Sequence, residues 1–145
     1  IYANGSLLSS DDRIKHNETD ISNGLQIIRQ LNPQKYQKTQ EIYAADYMGD
    51  ISGDYVIETG LIAQEILAIP DLSYCVIGGD EIDSSGNTIE KIYSLNYNNI
   101  FVYGLAAIKE LDVLCQTKIT NLEQENILMK TALNKLLSDA SYNTI

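Results

Sequence analysis

Proline and glycine are scarce where they matter most. No proline follows Pro70, and Gly104 is the only glycine from Asn98 onward, so nothing in the last third interrupts one long helix running to about Ser138. Histidine is represented by His16 alone, between Lys15 and Asn17. A catalytic zinc site needs several His or Cys ligands, and a Ser-His-Asp triad would have to use this one solvated ring, so both lack support and no metal site is expected. The two cysteines, Cys75 and Cys115, stand far apart and match no metal spacing; they read as free thiols in apolar settings. No apolar run reaches membrane-spanning length, and the opening Ile1-Tyr2-Ala3-Asn4-Gly5 lacks the shape of a signal peptide. The first residue is not methionine, and the chain reads as a fragment of a longer polypeptide. No glycine-rich phosphate loop is present and no cofactor is expected. Asp80 to Glu90 carries acids, but its alternating oxygens and glycine fall at the wrong offsets for a calcium loop, so it reads as a hairpin loop.

What is present suits a compact domain. The 145 residues are 44% hydrophobic, 21% charged and include 10 tyrosines, a composition able to bury a core. A formal net charge of -10 repels phosphate backbones and anionic lipid, which argues against nucleic acid and membrane as partners.

Hydrophobic spacing divides the chain. Residues 1–18 are short, polar and irregular, and 1–10 are taken as the end of an upstream passenger with the cleavage segment. Asp20 or Ser22 can cap a helix in which Ile21, Leu25, Ile28 and Leu31 recur at helical spacing, stopped by Pro33. Lys35-Tyr36-Gln37, Tyr55-Val56-Ile57, Gly60 to Ala63, Leu72 to Ile77 and Lys91 to Leu95 read as strands, with Gln64 to Leu67 turning into a short helix. Residues 11–97 thus form a small mixed body, 98–138 a long helix and 139–145 a tail. The expected fold class is α+β.

Along the helix, Cys115, Ile119, Leu122, Asn126, Met129, Leu133 and Leu136 alternate spacings of four and three, a heptad seam with one polar member. Such a stripe must be covered, either by folding back on its own domain or by copies of itself. A polar residue such as Asn126 is a known device for fixing register, which favours self-association; the pattern does not choose between two strands and three.

The chemistry that remains is Ser10-Asp11-Asp12-Arg13-Ile14-Lys15. A serine hydroxyl is a poor nucleophile until a base takes its proton, and a neutral lysine amine can be that base. Keeping the amine neutral calls for burial or nearby cations, part of which Arg13 can supply. Residues five apart can face each other across a tight turn; a capped, charged turn is the alternative for the same residues.

Ser-Asp-x-Arg-x-Lys at Ser10 to Lys15 resembles the signature of the self-cleaving intramolecular chaperone domains that end bacteriophage endosialidases, tail spikes and tail fibres, and that also occur in myelin regulatory factors. Leu31-Asn32-Pro33-Gln34-Lys35-Tyr36, Gly60-Leu61-Ile62-Ala63-Gln64-Glu65-Ile66, and Tyr93 to Tyr97 with Ala107-Ile108-Lys109-Glu110-Leu111 resemble later family segments, in the right order. The resemblance implies a homotrimer whose long helices form a coiled coil, with an N-terminal passenger in the same polypeptide as its folding client. It implies Ser10 as nucleophile and Lys15 as general base, with cleavage at Ser10-Asp11, or alternatively at the bond before Ser10. Asp11 and Arg13 would orient, and Gln64 and Glu65 would pack around the cut. A viral source would make the protein a virion-associated precursor produced in the host cytoplasm. Two other functions fit the same residues: a trimerisation or attachment tip that is never cut, and a self-cleaving module that frees an upstream regulatory protein.

Overall fold

The computed structural model describes residues 2–3, 6–7, 10–44 and 47–142, with side chains described over 10–44 and 47–140. It is an α+β chain: short strands and helices first, then one long helix. β1 (Tyr2–Ala3) and β2 (Ser6–Leu7) form a minimal antiparallel pair. A 3-10 turn at Asp12–Ile14 and α1 (Gly24–Ile28) follow. β3 (Gln34–Thr39) and β4 (Tyr55–Gly60) pair antiparallel, with Gln34 opposite Gly60 and Thr39 opposite Tyr55. α2 (Ala63–Leu67) leads into a 3-10 helix at Pro70–Cys75 and then β5 (Val76–Gly78). β6 (Glu81–Ile82) and β7 (Thr88–Ile89) make a hairpin, β8 (Tyr93–Leu95) returns to pair with β5, and α3 runs Tyr97–Tyr142.

The expected first helix is shorter than its apolar spacing suggests. Neither Asp20 nor Ser22 caps it; Asn23 is the N-cap residue and makes no side-chain capping bond, while Ile21 lies ahead of the helix and packs on the core from there. Turn bonds from Gln30 to Ile27 and from Leu31 to Ile28 carry the chain toward Pro33.

Two expected strands are also corrected. Gly60 closes β4, but Ala63 already belongs to α2. Leu72 to Cys75 is 3-10 helix, with Pro70 in its first turn, and only from Val76 is the chain extended. The apolar pattern explains it: Ile66, Ile69, Leu72 and Cys75, every third residue, are at most 7% exposed. A period of three stacks side chains on one side of a tight helix, whereas a strand alternates them.

These residues form the core with Ile27 of α1 and with Ile100, Tyr103 and Ala107 of α3. The Tyr103 hydroxyl donates to the Asp71 carbonyl at 3.1 Å, satisfying its polar end at the core's edge. Burial pushes the Cys75 thiol above its ordinary pKa, as expected of an inert apolar cysteine. Both thiols are free, but Cys115 is exposed in the single chain rather than packed among apolar groups.

The segment from Asp80 to Glu90 is the hairpin its residues suggest. Asp83 Oδ1 accepts from the backbone N–H of Ser85 and of Asn87, each at 2.8 Å, and Gly86 takes the positive φ of 86° that the turn needs. These bonds hold the Asp83 carboxyl below its usual range.

Candidate functional site

The Ser10 segment is built by one tight turn. Asp11, in extended conformation, caps the Asp12–Ile14 turn, and its Oδ1 accepts from the Arg13 backbone N–H at 2.9 Å. Backbone bonds from Ile14 to the Asp11 carbonyl and from Lys15 to the Asp12 carbonyl close the turn. The reversal brings the Lys15 side chain back to residue 10, where Nζ donates to Ser10 Oγ at 2.6 Å. Serine and lysine therefore sit within proton-transfer distance.

Arg13 does something other than face the lysine. Its Nε and Nη2 donate to the two carboxylate oxygens of Asp11 at 2.9 and 2.6 Å, a two-pronged pair. The guanidinium side chain, with the Arg13 backbone N–H second, holds the Asp11 carboxyl below its ordinary value, and Asp11 in turn raises Arg13. The Arg13 guanidinium is thus committed to Asp11. The acid next to Ser10 is engaged by Arg13, while Lys15 Nζ bonds the Ser10 hydroxyl.

Every residue from Ser10 to Asp20 is exposed, and the hydrogen bonds of residues 10–15 are all internal to the turn among the described residues. Asn17 adopts a positive φ of 57°, a left-handed bend that asparagine tolerates better than most residues. Ser9, and with it half of the bond before Ser10, lies outside the described residues.

Gln64 and Glu65 lie on α2. Glu65 Oε1 accepts from Gln34 Nε2 at 3.0 Å, which fastens α2 to the start of β3. Gln64 lines an open groove walled by Tyr36, Tyr43, Tyr93 and Tyr97. No hydrogen bond joins either residue to Ser10 or Lys15 among the described residues, so the single chain does not bring these four together. Tyr97 sits tightly over Gly60: its hydroxyl accepts from the Leu61 N–H at 2.9 Å, and a Cβ at Gly60 would meet the hydroxyls of Tyr97 and Tyr36.

The second feature is the bare stretch of α3. From Leu111 to Ala140 every residue is exposed. Ile119, Leu122, Met129, Leu133 and Leu136 are each about half exposed or more, and Cys115 stands open beside them. Asn126 is exposed too, its Nδ2 donating to the Leu122 carbonyl of its own helix at 3.1 Å. The alternation of threes and fours continues backward through Asp112 to Ile108, Leu105 and Phe101, all three exposed while Ile100, Tyr103 and Ala107 face the core. The seam read from the sequence begins at Cys115, whereas the spacing itself extends it to the first turns of the helix.

Among the described residues, no helix is long and apolar enough to cross a membrane, and no group of three or more His, Cys, Asp or Glu is placed to hold a metal ion. Residues 10–76 match a family model described as chaperone of endosialidase and named as a peptidase. The match begins at Ser10, spans the turn, α1, the β3–β4 hairpin, α2 and the 3-10 helix, and ends at the start of β5; α3 lies beyond it. It bears out the resemblance drawn from the motifs, and this stretch is similar to that family in its chaperone character.

Proposed function

We propose that this domain gathers three copies of its chain through α3, assists the folding of a passenger joined at its N-terminus, and then cuts itself away with Ser10 as nucleophile and Lys15 as base. The observation that carries this reading is the 2.6 Å contact from Lys15 Nζ to Ser10 Oγ, formed by a turn that also fastens Asp11 to Arg13.

The chemistry selects the bond. Attack by a serine Oγ on the carbonyl of its own residue would close a strained four-membered ring. Attack on the carbonyl of residue 9 closes a five-membered one, so the bond before Ser10 is favoured over Ser10-Asp11 for cleavage within one chain. Neutral Lys15 takes the Oγ proton as Oγ bonds to the residue 9 carbon; the C–N bond to Ser10 breaks and its nitrogen takes the proton back. Water then hydrolyses the ester, restoring the Ser10 hydroxyl beside a new amino terminus and leaving a carboxylate on residue 9.

In the single chain both groups are exposed, whereas general-base chemistry by a lysine calls for a desolvated setting. Assembly supplies what is missing: packing of neighbouring copies around α3 would desolvate the pair, so cleavage follows trimer formation. Each apolar seam side chain buried in that step contributes about 1.5–3 kcal/mol. Joining three passengers early raises their effective concentration while slow long-range β structure forms, and cutting afterwards leaves the product behind its own unfolding barrier.

The test is a denaturing gel of the chain with a passenger ahead of Ile1, beside Ser10→Ala and Lys15→Ala. Two bands for the parent and one for each variant support the reading. One band throughout assigns the domain to the uncut trimerisation tip instead.

A further inference from the structure

α1 begins without a cap of its own. Asn23 makes no side-chain bond to the helix, and Gly24 and Leu25, whose N–H groups open it, donate instead to Glu110 of α3, at 2.5 Å to Oε1 and 3.1 Å to Oε2. One carboxylate thus bridges two successive donors from a position 86 residues away in sequence. The bonds are charge-assisted and partly buried, which places them among the stronger of their kind.

The surroundings are built for this contact. Gly24 is buried against α3 so closely that a Cβ there would lie 2.8 Å from the Ala106 backbone carbon, closer than real side chains come. Asn23 Nδ2 donates to Asp71 Oδ2 at 2.6 Å, joining the same point to the 3-10 helix of the core. Among the described residues, 23–25 are where the exposed arm that carries Ser10 and Lys15 first makes long-range hydrogen bonds to the body. Glu110, half-buried, is also the last residue of α3 before the helix becomes exposed throughout its described side chains. The root of the arm is therefore pinned where the covered part of α3 gives way to the bare seam.

We infer that Glu110 is a positioning residue for the self-cleavage: its carboxylate fixes the root of the cutting arm to the helix that assembles, so that assembly of α3 places Ser10 and Lys15. This assignment rests on the function proposed above. Between the root and Ser10, among the described residues, the arm has only half-buried Ile21 seated on the core, so a small rotation at Gly24 becomes a large displacement at the serine. Misplacement of that kind is costly for a reaction that depends on near-contact geometry.

The experiment uses the full chain with its passenger and the variants Glu110→Gln, Glu110→Asp and Gly24→Ala. Cleavage is followed in time, assembly by sedimentation, and amide exchange of residues 23–28 in a Ser10→Ala background that stays uncut. Glu110→Gln should assemble like the parent, exchange faster at Gly24 and Leu25, and cut about tenfold more slowly or worse. Glu110→Asp, which keeps both oxygens on a shorter stem, should recover part of the rate, and Gly24→Ala should be slow with Glu110 intact. Parental cutting by Glu110→Gln, or slow cutting only in step with lost assembly, overturns the assignment while leaving the function standing. A parent that never cuts overturns the function itself, and the positioning role with it.

Discussion

The two ends of α3 are chemically alike and physically opposite. Near its start, Ile100, Tyr103 and Ala107 are sealed against α1, α2 and the 3-10 helix; beyond Glu110, leucines and isoleucines at equally regular spacing face water. At about 1.5 Å per residue, the 46-residue helix extends roughly 69 Å, far past anything the small body can cover. The difference teaches that periodicity states a need for burial without saying who meets it. In the first part the chain meets its own need. In the second, the need is left open within the single chain, and the copies of the chain proposed above would meet it, since their seams share one register.

The comparison breaks most completely with Leu122→Asp. Three carboxylates brought together on an apolar seam oppose assembly, so sedimentation should show monomer and the gel an uncut chain, while the body keeps its fold by circular dichroism. Brisk cutting by that monomer would mean that assembly does not gate the chemistry.

A smaller effect sharpens the contrast by making one substitution in both parts. Leu72→Ala empties a fully buried site in the core and should cost about 2–5 kcal/mol in unfolding experiments at every protein concentration. Leu133→Ala removes a side chain that is 56% exposed in the single chain, so its effect on melting should grow with concentration as assembly does. Equal, concentration-independent losses at both positions would place Leu133 inside the body's own fold.

The smallest effect concerns the turn, which belongs to neither part. Asp11 is held below the ordinary aspartate value of 3.8 by Arg13. Its support for the turn is therefore present above that value and lost as pH falls through the lower one of the folded chain. Carboxyl chemical shifts should titrate below 3.8 in the parent and move up in Arg13→Ala. An unchanged midpoint would show that the pair does not persist in solution.

How much of this was legible beforehand follows from the range of the interactions. The turn at Ser10 was, because five residues and one cap decide it; so were the hairpin after Asp80 and the unbroken helix. The 3-10 helix at Pro70–Cys75 was not, since a short apolar run reads as a strand unless its period of three is noticed. The cap of α1 lay beyond local signals altogether. Asp20 and Ser22 were plausible because they are near, whereas the acceptor is Glu110, reached only once α3 has packed on α1. The seam's earlier part, from Phe101 to Ile108, shares its helix with the core residues Ile100, Tyr103 and Ala107, and only the packed structure separates the two faces.

The serine–lysine cleavage is tested most directly at the amino terminus of the small product released from the passenger-bearing chain. Sequencing it should give Ser-Asp-Asp-Arg, beginning at Ser10, from the parent and no product from Lys15→Ala. A product that starts elsewhere, or one that persists without the lysine, would contradict the serine–lysine mechanism.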